Sequence, residues 1–357
     1  MKQNKIPPLP NIKLKKEQIE RKKNLLSKEV KQININEHTD FTTLIDAFGN
    51  SSFEARNLGR AAELYYRQIQ TDTAIIWSLS GSLFSAGLRQ ITIDAIRNNL
   101  VDALVCTGAL FEQDMLEALG HKHYICSTKL NDGELQELYI DRVYDHLLDE
   151  IALRQVDLTF KKIAESIEPK LYSSREFMYL SGKWLSKASN IQDSVMLAAF
   201  EKNIPIFIPA INDCSIGIGL AMQNNETPTM SIDSIKDLKE IAFLKSKCGD
   251  SGIVVVGGGV PKNYSQDAVV MAEMLGYDVD KHKFGIQIST ADVRDGGLSG
   301  STLREAISWG KNDKNMEDVM IWGEASVFFP LLIGYIFYNM KDKNRKGLRL
   351  NEVFNTK

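Results

Sequence analysis

Six short apolar runs punctuate the chain from residue 73 onward, and each of them ends in small or turn-forming residues. The runs are rich in isoleucine and valine and show no strict alternation of polar and apolar positions. That texture is typical of parallel strands that are buried on both faces. We therefore predict six strands, at residues 73–80, 101–108, 204–210, 252–259, 284–290 and 318–325.

The segments between these runs repeat apolar residues every three or four positions, as amphipathic helices do. Residues 85–100 and 233–247 are examples, and two more helical patterns, at 41–50 and 57–70, precede the first strand. Strands that alternate with helices predict the α/β class, with a doubly wound, mainly parallel, Rossmann-like sheet and helices on both faces. The apolar run at 326–337 contains Pro330 and is too short to span a bilayer, so we predict a buried helix there.

Changes in composition divide the chain into three parts. Residues 1–36 are basic, and we expect a flexible or loosely docked extension with a weak helix across 15–30. Residues 37–345 are predicted to form a single catalytic α/β domain, with an insertion at about 120–190 where the pattern is less regular. Residues 346–357 are predicted to form a C-terminal tail.

Charge and cysteine content narrow the classes of function. The 357 residues carry a net charge of −3, but residues 1–35 contribute +7 and the remaining 322 residues therefore −10. This balance does not indicate general nucleic-acid binding. The four cysteines show no paired spacing, the N-terminus lacks an apolar leader, and no zinc-ligand spacing occurs. We expect a cytoplasmic protein that binds no metal, membrane or nucleic acid.

The carboxyl ends of the predicted strands are where we look for chemistry, because ligands of doubly wound sheets bind there. Small residues follow the strands, as in "SGSLFSAGLR" at 80–89 and "GGGVPKNY" at 257–264. Such turns favour a ligand the size of a nucleotide, since backbone N–H groups can hold phosphate. The P-loop, GxGxxG and GxSxG patterns are absent, which argues against a P-loop ATPase, the usual dinucleotide fingerprint and a serine hydrolase.

One lysine follows a helical pattern at an unusual place. In "LREAISWGKND" the helical run from Leu303 to Trp309 breaks at Gly310 and is followed by Lys311. Locally this is a helix C-terminus, since glycine suits the left-handed cap and lysine suits the negative end of the helix dipole. The local pattern does not decide whether Lys311 also carries chemistry.

Several blocks taken together resemble one family. "FSAGLR", "PIFIPAINDCSIG", "VVVGGGVPKN" and "EAISWGK" occur in an order and spacing similar to deoxyhypusine synthase, and the resemblance runs from about residue 40 to 340. The chain looks like the deoxyhypusine-synthase-like branch of that family. By this resemblance the catalytic residue is Lys311, and the residues that contact substrate are Glu112, Gln113, Asn263, Asp295, Glu305 and Trp309. The residues implied for NAD are Gly81, Ser82, Leu83, Phe84, Ser85, Thr107, Gly108, Ala109, Asp213, Gly258, Thr290, Ala291, Glu324 and Ala325.

The resemblance also implies a reaction and an assembly. NAD⁺ takes a hydride from a secondary amine, a lysine attacks the resulting imine and displaces a diamine, and an acceptor amine takes the aminobutyl-type group before the hydride is returned. The lysine must be partly neutral, and burial beside an apolar wall such as Trp309 lowers the pKa of a lysine. The family forms homotetramers with active sites across a dimer interface, and its N-terminal segment can lie over a site entrance.

The chain departs from the family pattern at several charged positions. Asn263 stands where the family has a histidine, Glu324 where it has an aspartate, and Gln113, Ile218 and Leu298 where it has carboxylates. A desolvated ammonium needs a charged or strongly polar partner. We therefore predict that the donor, the acceptor or both differ from those of the parent enzyme, and that the acceptor is a small polyamine-related molecule.

Two alternatives remain at this stage. Besides an NAD-dependent aminoalkyl transferase with a small-molecule acceptor, the protein could be a true deoxyhypusine synthase, which modifies a lysine of a translation initiation factor. The other alternative is a scaffold that binds NAD without turnover. The chain retains Lys311, Trp309 and Glu305 beside the substituted positions. This favours an enzyme with altered chemistry over a protein without catalytic activity.

Overall fold

The computed structural model describes residues 10, 12–38, 40–224, 229–341, 343 and 345–355. Parts of the predicted N-terminal extension and C-terminal tail, namely residues 1–9, 11, 356 and 357, lie outside the described residues.

The strands are numbered in chain order. They are β1 (Ala74–Leu79), β2 (Ala103–Cys106), β3 (Tyr124–Ile125), β4 (Ile140–Val143), β5 (His146–Asp149), β6 (Leu171–Tyr172), β7 (Ile206–Phe207), β8 (Ser231–Ile232), β9 (Ser251–Val256), β10 (His282–Ser289) and β11 (Asn312–Trp322). The six predicted strands correspond to β1, β2, β7, β9, β10 and β11, which form one sheet in the order β11-β10-β9-β1-β2-β7. Every pair in this sheet is parallel.

The α-helices are also numbered in chain order. They are α1 (Lys16–Leu25), α2 (Phe41–Phe48), α3 (Phe53–Ile69), α4 (Arg89–Arg97), α5 (Ala109–Ala118), α6 (Asp132–Glu137), α7 (Glu150–Glu165), α8 (Ser174–Leu185), α9 (Val195–Lys202), α10 (Ser215–Ala221), α11 (Ser234–Lys247), α12 (Gly259–Met274), α13 (Glu305–Ser308) and α14 (Ala325–Met340). A π turn at Phe84–Leu88 leads into α4, and 3-10 turns lie at Ile35–Glu37, Val293–Asp295 and Leu350–Phe354.

Both faces of the main sheet are buried, as its apolar strands predict. Along β1 the side chains of Ile75, Trp77 and Leu79 join one hydrophobic core, whereas Ala74 and Ile76 join a second. The first core includes residues of α3, α4, α5, α7, α8, α9 and α14, and the second includes residues of α11 and α12. The prediction of a doubly wound sheet with helices on both faces is confirmed.

A polar network lies inside the first core. The indole N–H of Trp77 donates to the hydroxyl of Tyr65 at 2.8 Å, and that hydroxyl donates to the carbonyl of Leu100 at 2.7 Å. The ring of Phe329 on α14 packs edge-on against Trp77, with 5.1 Å between the ring centroids. The predicted helix with Pro330 therefore exists, and it seals the sheet from one side.

The stretch at about 120–190 is more closely joined to the core than an insertion would be. Its irregular part is a small antiparallel sheet of β3, β5 and β4. Its two long helices, α7 and α8, bury Phe160, Ile163 and Phe177 in the first core. These helices are amphipathic, and their apolar faces complete the layer that covers β2 and β7.

The amino end of the sheet is closed by residues from the far end of the described chain. Asp102 is 1% exposed and accepts hydrogen bonds from the N–H of Ile75 at 2.9 Å and from Arg345 Nη2 at 2.7 Å. The adjoining residues Leu350 and Asn351 are buried as well. The part of the predicted tail that the structure describes is thus docked on the domain.

The N-terminal helix differs from the rest of the described chain. Helix α1 falls within the predicted range 15–30, and none of its residues is buried. None of the helices within the described ranges combines the length and hydropathy needed to cross a membrane.

Candidate functional site

The sheet reverses its winding between β1 and β9, and a cavity of about 380 Å³ lies at the carboxyl ends of the strands there. Turns that follow β1, β2, β7 and β9 all contribute to its wall. The lining residues are Ser80, Gly81, Cys106, Thr107, Pro209, Ala210, Asp213, Gly257, Gly258, Gly259, Val260, Pro261 and Ser299. This switch-point pocket is where a doubly wound sheet binds its ligand.

Close backbone approach explains the triple glycine at the pocket. A Cβ on Gly258 would lie 2.4 Å from the Cα of Ser299, so a side chain there has no room. The hydroxyl of Ser80 donates to the carbonyl of Gly258 at 2.7 Å, and the hydroxyl of Ser299 accepts from the N–H of Gly259 at 3.2 Å. The turns after β1, β9 and β10 are therefore held as one unit.

Two helices begin at the pocket without a side-chain cap. Helix α5 starts after Gly108 and helix α12 after Gly258, and neither N-cap residue offers a side-chain oxygen to the first turn. Other helices of the described chain have such caps, for example α7 with Asp149 and α9 with Ser194. The N-terminus of a helix attracts anions through its N–H groups and dipole. The pocket thus presents two helix N-termini suited to phosphate.

The predicted cofactor residues of the first turn differ in what they expose. Leu83 and Phe84 are buried in the first core, where the ring of Phe84 packs edge-on against Phe111. Their side chains therefore face the core, and neither residue lines the pocket. The N–H of Ser85 donates to Gln113 Oε1 at 3.0 Å, and Gln113 itself is 7% exposed. In this chain Gln113 supports the turn that follows β1.

The residues after β2 and β7 meet across a narrow gap. A Cβ on Gly108 would lie 2.2 Å from the sulfur of Cys214, which explains the glycine beside Thr107 and Ala109. Burial raises the pKa of the Cys214 thiol to about 11, so this cysteine is a packing residue and not a nucleophile. Asp213 is exposed on the pocket wall.

A cluster of carboxylates lies behind Asp213. The N–H of Ser215 donates to Glu112 Oε2 at 2.9 Å, and burial raises the pKa of Glu112, with Asp157 and Asp213 adding to that shift. Burial also raises the pKa of Asp157, although the side chain of Ser215 partly offsets it. Asp157 is 9% exposed, and its Oδ1 has no hydrogen-bond partner among the described residues. The sequence analysis did not find Asp157, because it lies on α7, far along the chain from the strand ends.

The cofactor residues predicted at the sheet edge follow β10 and β11. Thr290 is exposed, and Ala291 follows the turn in which its N–H donates to Ser289 Oγ at 3.2 Å. Glu324 precedes Ala325 and caps α14, since its Oε2 accepts from the N–H of Ser326 at 2.9 Å. The carboxylate of Glu324 therefore already has a structural role.

Lys311 is held at the end of a short helix. The N–H of Gly310 donates to Ile307 O and that of Lys311 to Ala306 O, and Gly310 has φ +74°, which is the Schellman arrangement. The predicted glycine cap is therefore present, but the helix spans only Glu305–Ser308, shorter than Leu303 to Trp309.

The side chain of Lys311 reaches helix α12. Its Nζ lies 2.7 Å from Asn263 Oδ1 and 2.9 Å from Asp267 Oδ1, and its side chain is 12% exposed. The ring of Trp309 is 71% exposed, with its centroid 5.5 Å from the same Nζ. The structure brings together Lys311, Asn263 and Trp309, three residues that the sequence analysis proposed for the site, and it adds Asp267. The spacing of Asn263 and Asp267, one helical turn apart, was the available signal.

Lys262 is a second lysine of the site that the sequence analysis missed. Its side chain is fully buried, and Nζ donates to Leu298 O at 3.0 Å and to Ser301 Oγ at 2.9 Å as well as to Ser301 O. Burial lowers its pKa to about 8, with Glu305 opposing and Lys311 adding to the shift. This lysine ties α12 to the loop that leads to Glu305. Asp295 stabilises the same loop by accepting from the N–H of Gly297 at 2.6 Å.

The predicted site residues therefore form two groups within one chain. The lysine group contains Lys311, Asn263, Asp267 and Trp309, and the pocket group contains the strand-end turns with Asp213 and Glu112. No hydrogen bond or ion pair among the described residues joins Lys311 to Glu112 or Asp213. Those same residues contain no cluster of three metal-ligating side chains.

Comparison with known proteins gives consistent matches along the chain. The sequence model of the family described as deoxyhypusine synthase matches residues 43–336. The chain is 44% identical over 341 residues to a deoxyhypusine synthase-like protein of Chlorobaculum parvum, covering 94% of this chain and 97% of that protein. It is 42% identical over 338 residues to a deoxyhypusine synthase-like protein of Coxiella burnetii, covering 93% and 96% of the two chains.

Two solved structures share the fold. One is from Entamoeba histolytica and is provisionally named a deoxyhypusine synthase; its TM-score is 0.60 at 16% identity, over 89% of this chain and 98% of that one. The other is AgrE in a ternary complex with ornithine and NAD⁺, with a TM-score of 0.51 at 12% identity, over 82% of this chain and 34% of AgrE. At these identities the likeness shows the fold alone.

Proposed function

The chain belongs to the deoxyhypusine synthase family, and on that premise we propose that it is an NAD-dependent transferase that moves an aminoalkyl group between amines through an imine on Lys311. The setting of Lys311 carries this proposal. Its side chain is 12% exposed, it is held by two polar side chains of α12, and it lies beside an exposed indole ring. A lysine restrained in this way is suited to act as a nucleophile toward a carbon–nitrogen double bond.

The switch-point pocket has the features that NAD requires. When bound, NAD⁺ accepts a hydride from the donor carbon and later returns it. The uncapped N-termini of α5 and α12 suit its pyrophosphate, and Asp213 suits ribose hydroxyl groups. The turn at Gly81–Ser85, together with Thr107, Gly258, Thr290 and Glu324, would complete the contacts. The AgrE structure, which shares the fold, contains NAD⁺.

The carboxylate cluster suits an amine. None of the ion pairs formed by the described residues involves Glu112, Asp157 or Asp213. Glu112 and Asp157 are the members of the cluster that lie away from solvent, and a primary ammonium would relieve the cost of burying their carboxylates. We propose that this cluster binds one cationic end of the donor. The raised pKa values of Glu112 and Asp157 have the direction expected for a site that awaits a cation.

The reaction balances without net redox. The donor amine loses a hydride and a proton and becomes an imine. The nitrogen of Lys311 forms a bond to the imine carbon, the bond to the departing diamine breaks, and Lys311 carries the aminoalkyl group as its own imine. An acceptor amine then displaces Lys311 in the same manner, and return of the hydride gives the product amine.

A second copy of the chain is the partner that we propose for a complete site. The lysine group and the pocket group share no hydrogen bond or ion pair in the described chain, so facing copies would unite them. Four large apolar side chains on segments that carry the site are exposed, as interface residues often are: Ile218 at 51%, Val260 at 50%, Leu298 at 39% and Trp309 at 71%. A homotetramer built from such dimers is the assembly that we propose.

The same exposed positions bear on the acceptor. Ile218 and Leu298 place hydrocarbon where the family pattern has carboxylates, which disfavours a long polycation. We propose a small amine as acceptor in preference to a protein lysine.

The test is to map the covalent intermediate. Protein with NAD⁺ is incubated with a panel of diamines and polyamines, borohydride is added, and peptides are analysed by mass spectrometry. We expect a stable adduct on Lys311 with the true donor, and no adduct in Lys311→Ala. An adduct on a different lysine, with Lys311→Ala fully active, would refute the covalent role. Binding of NAD⁺ without any adduct across the panel would favour the scaffold alternative.

A further inference from the structure

Lys311, Asn263 and Asp267 form a closed triangle of hydrogen bonds. The ammonium of Lys311 donates to Asn263 Oδ1 at 2.7 Å and pairs with Asp267 Oδ1 at 2.9 Å. The third side is the amide of Asn263, whose Nδ2 donates to Asp267 Oδ2 at 2.5 Å. Asn263 and Asp267 are one turn apart on α12, so the helix presents both groups to the lysine.

The chemistry of the three groups fixes the direction of every bond in the triangle. An ammonium only donates and a carboxylate only accepts, so the amide of Asn263 must turn its oxygen to Lys311 and its nitrogen to Asp267. The amide thus stiffens both partners, but it is not a base. Asp267 is the carboxylate that pairs with Lys311 in the described part of the chain.

We propose that Asp267 is the positioning residue of Lys311: it holds the ammonium in the resting enzyme and accepts one of its protons when imine exchange begins. This inference rests on the proposed function, because it concerns the proton that the nucleophile must lose. The family pattern has a histidine where this chain has Asn263, and an amide cannot accept the proton. The proposal assigns that task to Asp267.

The exchange step balances with this assignment. One proton passes from Lys311 to Asp267, and rotation about the Cε–Nζ bond turns the free electron pair toward the substrate. The new carbon–nitrogen bond forms to Lys311, a proton moves between the two nitrogens, and the bond to the departing amine breaks. That amine leaves as an ammonium with the proton from Asp267, which restores the carboxylate.

Other charges face the triangle and are considered in the test. Lys262 lies close enough to Lys311 for the two charges to interact, and Glu305 acts on Lys262 with the opposite sign. Both groups stay unchanged in the variants below, so their contribution cancels in each comparison.

The test uses two probes that do not require the natural donor. Butanal with cyanoborohydride measures how fast Lys311 forms an imine, by mass spectrometry of the butylated peptide. Transfer is measured separately: protein is treated with butanal without reductant, free butanal is removed by rapid gel filtration, putrescine is added, and N-butylputrescine is quantified after reduction. The full-length protein is compared with Asp267→Asn, which keeps the shape of the side chain and removes its charge.

We expect both measurements to fall in Asp267→Asn, transfer far more than butylation. In Asp267→Asn solvent has to accept the proton of Lys311, so butylation of Lys311 should fall about threefold. Transfer to putrescine should fall about 100-fold, because no group accepts and returns the proton. Asp267→Glu should recover most of the transfer, and Glu273→Gln, an exposed carboxylate of the same helix, should change neither value.

The possible outcomes separate failure of the inference from failure of the proposed function. Loss of butylation and transfer in Asp267→Asn that Asp267→Glu does not recover would show a structural role only, and unchanged values would show that the ion pair has no function; either result overturns the inference. If Asp267→Asn slows butylation as expected but neither protein transfers the butyl group to putrescine, the ion pair acts as inferred while the proposed transferase function fails. Inertness in both proteins refutes both proposals.

Discussion

The ammonium of Lys262 lies 2.9 Å from the hydroxyl oxygen of Ser301 and is also bonded to the carbonyl of the same residue. Lys262 is fully buried on α12, whereas Ser301 lies in the loop between β10 and α13. These bonds couple the helix that carries Asn263 and Asp267 to the loop that delivers Lys311. The geometry of the lysine group therefore depends on a cation that forms no ion pair with a carboxylate of the described residues.

The first prediction concerns the pH dependence of stability that Lys262 introduces. Its pKa is lowered by burial from 10.5 to about 8. Between these values the unfolded chain binds more protons, so the contribution of Lys262 to the free energy of unfolding rises with pH and is smallest below about pH 8. We expect the difference in stability between the unchanged protein and Lys262→Met to rise by about 3 kcal/mol from neutral pH to beyond 10.5.

Urea unfolding at a series of pH values measures this difference. Lys239→Met replaces an exposed lysine on α11 and serves as the control, which should show a flat difference across the range. A flat difference for Lys262→Met as well would mean that the three oxygen acceptors keep the lysine charged at every pH.

The second prediction concerns NAD⁺. Glu324→Ala should weaken NAD⁺ binding by about tenfold in isothermal titration, which is about 1.4 kcal/mol, because a ribose hydrogen bond to a carboxylate is lost. Glu317→Ala changes a carboxylate on β11 that pairs with Arg67, and it should leave NAD⁺ affinity unchanged. Thermal unfolding separates loss of the α14 cap from loss of the ligand contact. Absence of detectable binding at millimolar NAD⁺ in the unchanged protein would reject the cofactor.

The third prediction tests whether facing copies complete the site. Lys311→Ala keeps the pocket group, and Glu112→Ala keeps the lysine group. If each site combines the two groups from different copies, co-refolding equal amounts of these inactive variants should restore about a quarter of full activity, since half of the random dimers are mixed and each mixed dimer has one intact site. Activity is measured with the donor found in the borohydride screen.

Light scattering of the mixture supplies the control for this experiment. Mixed oligomers that form without any recovery of activity would place both groups of one site in a single chain.

The fourth prediction concerns spermidine. A polyamine cation left unpaired in a dry site costs about 3–5 kcal/mol, and neither Ile218 nor Leu298 can accept a hydrogen bond. Spermidine-dependent formation of NADH should therefore be weak in the unchanged protein. It should rise at least about tenfold in the triple variant Ile218→Asp/Leu298→Asp/Asn263→His, because one recovered ion pair exceeds 1.4 kcal/mol.

Ile235→Asp places a carboxylate on an exposed position of α11 and controls for added charge. Efficient cleavage of spermidine by the unchanged protein, with modification of the translation factor, would show instead that the chain is a deoxyhypusine synthase in the full sense.

The sheet was predictable because its strands are buried on both faces. The run that forms β1 can be recognised without deciding which residues face inward, since every position in it is apolar or small. Boundaries were less certain: β7 pairs only through Ile206 and Phe207, although the apolar run extends to residue 210, while β11 begins at Asn312, earlier than its apolar part. The first part of β11, from Asn312, is mostly polar, and its pairing with β10 is irregular in register. No hydrophobic pattern therefore predicts it as strand.

The site was only partly predictable, and the reason is the distance along the chain between its partners. Gly310 by itself predicts the turn before Lys311, because glycine favours the left-handed conformation that ends a helix. Asp267 and Asp157, by contrast, meet Lys311 and Glu112 through folding, over separations of 44 and 45 residues that no spacing rule covers. Lys262 went unnoticed, because a buried cation held by carbonyl and hydroxyl oxygens leaves no mark in composition.

The ion pair of Asp102 and Arg345 has a consequence for biosynthesis. The two residues are 243 positions apart, so β1 and β2 leave the ribosome long before the guanidinium that neutralises the carboxylate between them. Until Arg345 arrives, closing this part of the sheet buries a lone charge at a cost of about 3–5 kcal/mol. A nascent chain interrupted before that residue cannot settle into the native sheet, and it remains a substrate for chaperones and proteases.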